Sequence, residues 1–86
     1  MNTTIDIFSQ SPDAYAKKIA QQVKKRRLEM RLTQAGLAKR ADLPLATYRH
    51  FEQMGKISLQ GLLQIAFVLN CLEDFNQLFF HREHSL

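Results

Sequence analysis

The side chains best placed to do chemistry are cations. Lys24-Lys25-Arg26-Arg27 is an unbroken basic run, and Arg49, His50, Gln53 and Lys56 follow it. Residues 17–56 hold eleven of the twelve Lys and Arg against only Glu29, Asp42 and Glu52, a net +8 inside a chain whose total is +4. Guanidinium and ammonium groups at this density suit a polyanion such as nucleic acid, and the plainer alternative is a solvated basic helix face. Other chemistry is poorly supported. His81 and His84 have metal-like spacing but lack further ligands. Cys71 is the single cysteine, so it makes no internal disulfide or cysteine-based zinc site and reads as a packed thiol. No paired carboxylates, nucleophile–base set or phosphate loop is visible. The expectation is a protein that is not an enzyme and takes no metal or cofactor.

The elements that must position these cations are helical. Eighty-six residues make one domain, and 45% hydrophobic with 23% charged content is ordinary for a globular chain. No apolar run is long enough to span a bilayer, and Met1-Asn2-Thr3-Thr4-Ile5-Asp6 lacks the features of a signal peptide. A cytoplasmic, reduced location is expected. Residues 1–11 form an N-terminal extension, either a short extended piece or a frayed tail. Ser11-Pro12-Asp13 then predicts a helix start: a capping hydroxyl, a proline at the first position, and an acid at the positive end of the dipole. Ile19, Val23, Arg26 and Met30 recur at helical spacing, widened by Ala16 and Ala20, so the first helix is predicted over 13–31 with Arg26 on the apolar side.

Thr33 caps a second helix ending near Arg40, with Leu37 and Ala38 inward, and Asp42 tolerates the left-handed turn that follows. Pro44 opens a third helix over about 44–53. Tyr48 and Phe51, with Thr47 beside them, face inward, and Leu45, Ala46, Arg49, His50 and Gln53 face outward. Ser58 caps a fourth helix over 59–69, apolar nearly all round and therefore central to the core. A fifth short helix, about 73–80, carries Phe75, Leu78, Phe79 and Phe80. Residues 81–86 form a C-terminal tail.

Residues 19–79 resemble the Cro/CI-type helix-turn-helix regulators, also called the XRE family. Leu32-Thr33-Gln34-Ala35-Gly36-Leu37-Ala38 and Ala41-Asp42-Leu43-Pro44-Leu45-Ala46-Thr47-Tyr48-Arg49-His50-Phe51-Glu52 carry the likeness without gaps. The resemblance implies an all-α, lambda-repressor-like DNA-binding domain: a compact five-helix bundle with a helix-turn-helix, spanning 12–80. It implies that the third helix enters the major groove of double-stranded DNA. Gln34 then contacts the DNA backbone, with Thr33 beside it at a helix start that favours phosphate. Leu45 and Ala46 offer only apolar contact, for example to a thymine methyl, and Arg49 is placed to grip guanine bidentately. His50 and Gln53 reach bases or phosphates, and Lys56 and Ser58 anchor the backbone. Arg27 and Glu52 match a family pair, which either orients Arg27 toward a phosphate or simply ties two helices together. Two departures stand out: Pro44 replaces a Ser or Thr, and Asp42 replaces a turn glycine.

Phe75, Leu78, Phe79 and Phe80 are more apolar surface than a terminal helix of a monomer easily buries. The resemblance makes them the interface of a two-fold dimer on a pseudo-palindromic operator; the alternative is that they close the monomer core. Thr47–Glu52 and Ser58–Leu63 are similar to HipB-like antitoxins, which partner a HipA-like Ser/Thr kinase toxin encoded nearby and repress the shared promoter. The expected function is a sequence-specific repressor of its own operon acting as such an antitoxin. The alternatives are a stand-alone or phage-type regulator, or a protein-interaction module without DNA.

Overall fold

Three of the helices begin on a hydroxyl. In the computed structural model, which describes residues 11–80, Ser11 accepts the Ala14 N–H at 3.1 Å, Thr33 that of Gly36 at 2.9 Å, and Ser58 that of Gly61 at 3.0 Å. Each bond satisfies one of the donors that a helix start leaves open. They open α1 (Pro12–Glu29), α2 (Gln34–Arg40) and α4 (Leu59–Val68). Pro44 opens α3 (Leu45–Met54) with no side-chain cap. A six-residue 3₁₀ helix, η1 (Leu72–Gln77), follows, and no strand occurs among the described residues.

Three helix ends share one geometry. Arg31, Asp42 and Asn70 follow α1, α2 and α4 with φ of 58°, 58° and 64°. The next residue then bonds back to the last turn: Leu32 N–H to the Arg27 carbonyl, Leu43 to Ala38, Cys71 to Ala66. These are Schellman ends, made here without a glycine. Leu32, Leu43 and Cys71 each fold onto the core as the motif requires. The chain therefore reverses tightly, and α2 and α3 are separated by only four residues. α3 ends differently, on Gly55 at φ 77°.

The core is Ala20, Leu37, Ala38, Ala41, Tyr48, Phe51, Ile65 and Leu69, one cluster to which each of the four α-helices or its end contributes. α1 packs chiefly on α3, α2 on α3 and α4, and η1 on α4. The result is an all-α bundle.

Several local expectations are corrected. α1 stops at Glu29, and its buried residues are Ala20 and Arg27. Ile19, Arg26 and Met30 are exposed, so the buried stripe is rotated by about one residue. Thr47 is exposed, whereas Leu45, expected outward, is half-buried against the core. α4 is not buried all round: Ile65 and Ala66 are inside, but Phe67 is 72% exposed. The fifth element is a 3₁₀ turn closed by i to i+3 bonds such as Leu78 N–H to the Phe75 carbonyl. Leu78 is extended and Phe79 turns to φ 58°, so no helix runs to residue 80.

Candidate functional site

A buried carboxylate organises the basic side of the bundle. Glu52 comes from α3 and Arg27 from the last turn of α1, and their side chains are only 5% and 7% exposed. Arg27 donates from Nε to Glu52 Oε2 at 2.9 Å and from Nη2 to Oε1 at 3.2 Å. Its Nη1 donates to the Leu32 carbonyl at 2.7 Å, in the turn between α1 and α2. The Tyr48 hydroxyl, one helical turn before Glu52, donates to Oε2, and Gln34 Nε2 donates to Oε1 at 2.8 Å. Both carboxylate oxygens thus receive two donors. That saturation is what makes a charged pair tolerable out of water.

The same contacts set the titration of the cluster. Glu52 hydrogen bonding holds the Arg27 pKa above its ordinary value. Burial pushes the Tyr48 hydroxyl up, and the Glu52 carboxylate pushes it further. For Glu52, burial works upward, but the hydrogen bonds from Arg27, Tyr48 and Gln34 together outweigh it and hold the carboxyl below its ordinary value.

From this clamp one bond leads to the surface. Gln34, the first residue of α2, turns Nε2 inward to Glu52, and its Oε1 accepts from Arg49 Nε at 3.2 Å. Ala46, Arg49, His50 and Gln53 recur at spacings of three and four, which places them on one face of α3, and all four are exposed. Lys24 of α1 completes the surface: Lys24, Gln34, Arg49, Glu52 and Gln53 line an open cleft of about 310 Å³. What it offers outward is guanidinium, ammonium and amide donors, a chemistry suited to an anion.

The expected site residues are only partly gathered there. Gln34, Arg49 and Gln53 line the cleft, and His50 and Ala46 share the exposed face of α3. Of the two readings of Arg27, the geometry matches the tie between helices, because every nitrogen of its guanidinium is engaged within the protein. The Thr33 and Ser58 hydroxyls are occupied as caps. Lys56 Nζ lies 3.9 Å from Asp13 Oδ1, at the first turn of α1. Asp13 and Lys24 are eleven residues apart on that helix, roughly 16 Å, so Lys56 is not brought to the cleft. Of the expected dimer residues, Phe75 is half-buried in a groove with Ile19, Val23, Leu62 and Leu69, while Leu78, Phe79 and Phe80 are exposed. Sequence reasoning missed the polar work of Tyr48. The signal available was its position four residues before Glu52, on the same helix face.

Among the described residues no cluster of three or more His, Cys, Asp or Glu could hold a metal, and no helix is long and apolar enough to cross a membrane. His81 and His84 lie outside the described residues, as do residues 1–10 of the N-terminal extension. Compared with protein families, characterised proteins and solved structures, the chain finds no match.

Proposed function

We propose that this chain is a sequence-specific DNA-binding repressor in which α2, its four-residue turn and α3 act as a helix-turn-helix of lambda-repressor type. The observation that carries the reading is the bonded chain from buried Glu52 through Gln34 to Arg49, which delivers a guanidinium to the exposed face of α3. α3 lies in the major groove, with Arg49 on a guanine and Ala46 against a thymine methyl. Lys24 and Gln53 reach phosphates or base edges from the same cleft. The +8 charge of residues 17–56 supplies the sequence-independent part of the affinity.

The repressor works as a two-fold dimer whose reading helices stand about 34 Å apart on a pseudo-palindrome. Exposed Leu78, Phe79 and Phe80, beside the apolar groove of α1, α4 and η1, supply the self-association surface. Its operator lies upstream of its own gene. Partnership with a Ser/Thr kinase toxin rests on the resemblance of Thr47–Glu52 and Ser58–Leu63 to HipB-like antitoxins.

Footprinting on the DNA upstream of the gene, at several salt concentrations, tests the reading. The expected result is a protected pseudo-palindrome whose log affinity falls by about 0.9 per phosphate contact for each log unit of salt. No protection at low salt on that DNA, nor on a randomised pool, overturns it in favour of a protein-interaction module.

A further inference from the structure

The polarity of the Gln34 carboxamide is forced by its neighbours. A carboxylate only accepts hydrogen bonds and a guanidinium only donates them. Gln34 lies between one of each. Its Nε2 must therefore point to Glu52, at 2.8 Å, and its Oε1 to Arg49, at 3.2 Å. Rotating the amide by half a turn would set oxygen against oxygen and donor against donor. The inner partner is itself immobile, because Glu52 is 5% exposed and also held by Arg27 and Tyr48. The Gln34 oxygen is thus fixed from the core, and it takes the Arg49 guanidinium by Nε, the nitrogen nearest the chain. No partner among the described residues engages Arg49 Nη1 or Nη2. Those two nitrogens form the end-on fork that pairs with the two acceptors, O6 and N7, on the major-groove edge of guanine.

We propose that Gln34 is a positioning residue that sets the base preference of Arg49: it tethers Nε and leaves the terminal fork free, so that Arg49 reads guanine end-on. The inference rests on the DNA-binding reading above and adds to it a specificity role for a residue of the neighbouring helix. Without the tether Arg49 keeps its charge but loses its direction, and falls back to a phosphate contact that carries no sequence information.

Wild type, Gln34→Ala, Arg49→Ala and the double variant are each selected against a randomised half-site pool at one salt concentration. In parallel, exchange of the Arg49 Nε–H is followed by NMR in the free proteins, the signal being assigned by its loss in Arg49→Ala. Glu52 keeps Arg27 and Tyr48 in Gln34→Ala, so the fold is expected to survive, and the thermal midpoint checks this. The expected result is that Gln34→Ala flattens the preference at the same base step as Arg49→Ala, by about five- to tenfold. The double variant then loses no more discrimination than Arg49→Ala alone, and Arg49 Nε–H exchange accelerates in Gln34→Ala. If Gln34→Ala weakens every sequence equally and keeps the preference, or leaves Nε–H exchange unchanged, the inference is overturned and the DNA reading stands. If the wild type enriches no sequence, both fall together.

Discussion

Gly55 rests directly on the backbone of Ala16: a β-carbon at position 55 would lie 2.7 Å from the Ala16 carbonyl carbon and 2.9 Å from its oxygen. The contact joins the end of α3 to the second turn of α1, and the glycine also turns to φ 77°. The close approach and the left-handed backbone act on the same residue. They let the helix carrying Arg49 and the helix carrying Lys24 pack backbone to backbone.

Gly55→Ala is accordingly expected to destabilise the fold by about 2 kcal/mol, combining the cost of a left-handed alanine with that of the clash. In a domain of this size that lowers the thermal midpoint by about 10 °C. An unchanged midpoint in a calorimetric scan would show that α1 and α3 can separate without cost.

Arg31→Gly should act in the opposite direction. Arg31 is exposed, its side chain has no hydrogen bond or ion pair among the described residues, and it holds φ 58° at the end of α1. Glycine relieves that strain for a gain of about 1 kcal/mol. Urea denaturation checks the sign, and a loss of stability would mean that the Arg31 side chain contributes something its exposure hides.

Glu52→Gln leaves Arg27 buried beside a neutral amide, at an expected cost of about 3–5 kcal/mol. The pH dependence carries a second signature. The folded Glu52 carboxyl titrates below its unfolded value, so the unfolded chain binds the proton first as the solution is acidified. The associated stability is complete above the unfolded pKa and drains away as pH falls through the folded one. Wild-type urea midpoints should drop over that acid range. Those of the variant should drop less, and parallel curves would remove Glu52 from the account.

Tyr48→Phe tests the alkaline side. The folded hydroxyl is held above its ordinary value, so its contribution is intact below the unfolded pKa and declines as pH rises beyond it. Removing the hydroxyl should cost about 1.5–3 kcal/mol at neutral pH, as for a hydrogen bond to a charged group. The variant should then lose less stability than wild type above about pH 10. Equal stability of the two proteins at neutral pH would mean the bond to Glu52 adds nothing.

Phe79→Asp probes self-association. Phe79 is 101% exposed and holds φ 58°, a geometry Asp tolerates better, so the substitution should not lower the thermal midpoint of the monomer. Sedimentation should report a monomer, with weaker operator binding. A persisting dimer would move the interface to the groove around Phe75 or elsewhere.

Much of the frame was legible in the sequence because its causes are local. Ser11, Thr33 and Ser58 cap the helices they precede, Asp42 sits at a left-handed turn, and Tyr48 and Phe51 face inward at helical spacing. The rotation of α1 was not legible. A guanidinium at position 27 reads as surface unless its acceptors, Glu52 on α3 and the Leu32 carbonyl, are known to lie in place. Family likeness pointed to the Arg27–Glu52 pair, and spacing alone did not. The close of the chain misled for another reason. Phe75, Leu78 and Phe79 fit a three-to-four period that a 3₁₀ turn satisfies as well as an α-helix, and the turn at Phe79 has no glycine to announce it. In the cleft, Arg49 and Gln53 were evident from the outward face of α3. The bond between Gln34 and Arg49 needed the two helices in place.

The guanidinium of Arg27 bonds a turn and a second helix at once. The direction of the Gln34 amide, and through it of Arg49 Nε, is therefore set within the protein. A loose, lysine-rich surface of equal charge would attract an anion as strongly from a distance, yet would have to surrender side-chain freedom on contact. Here the bond to Gln34 has already removed part of that freedom from Arg49, so if the face docks an anion as proposed, the entropy that this side chain loses should be smaller by that part.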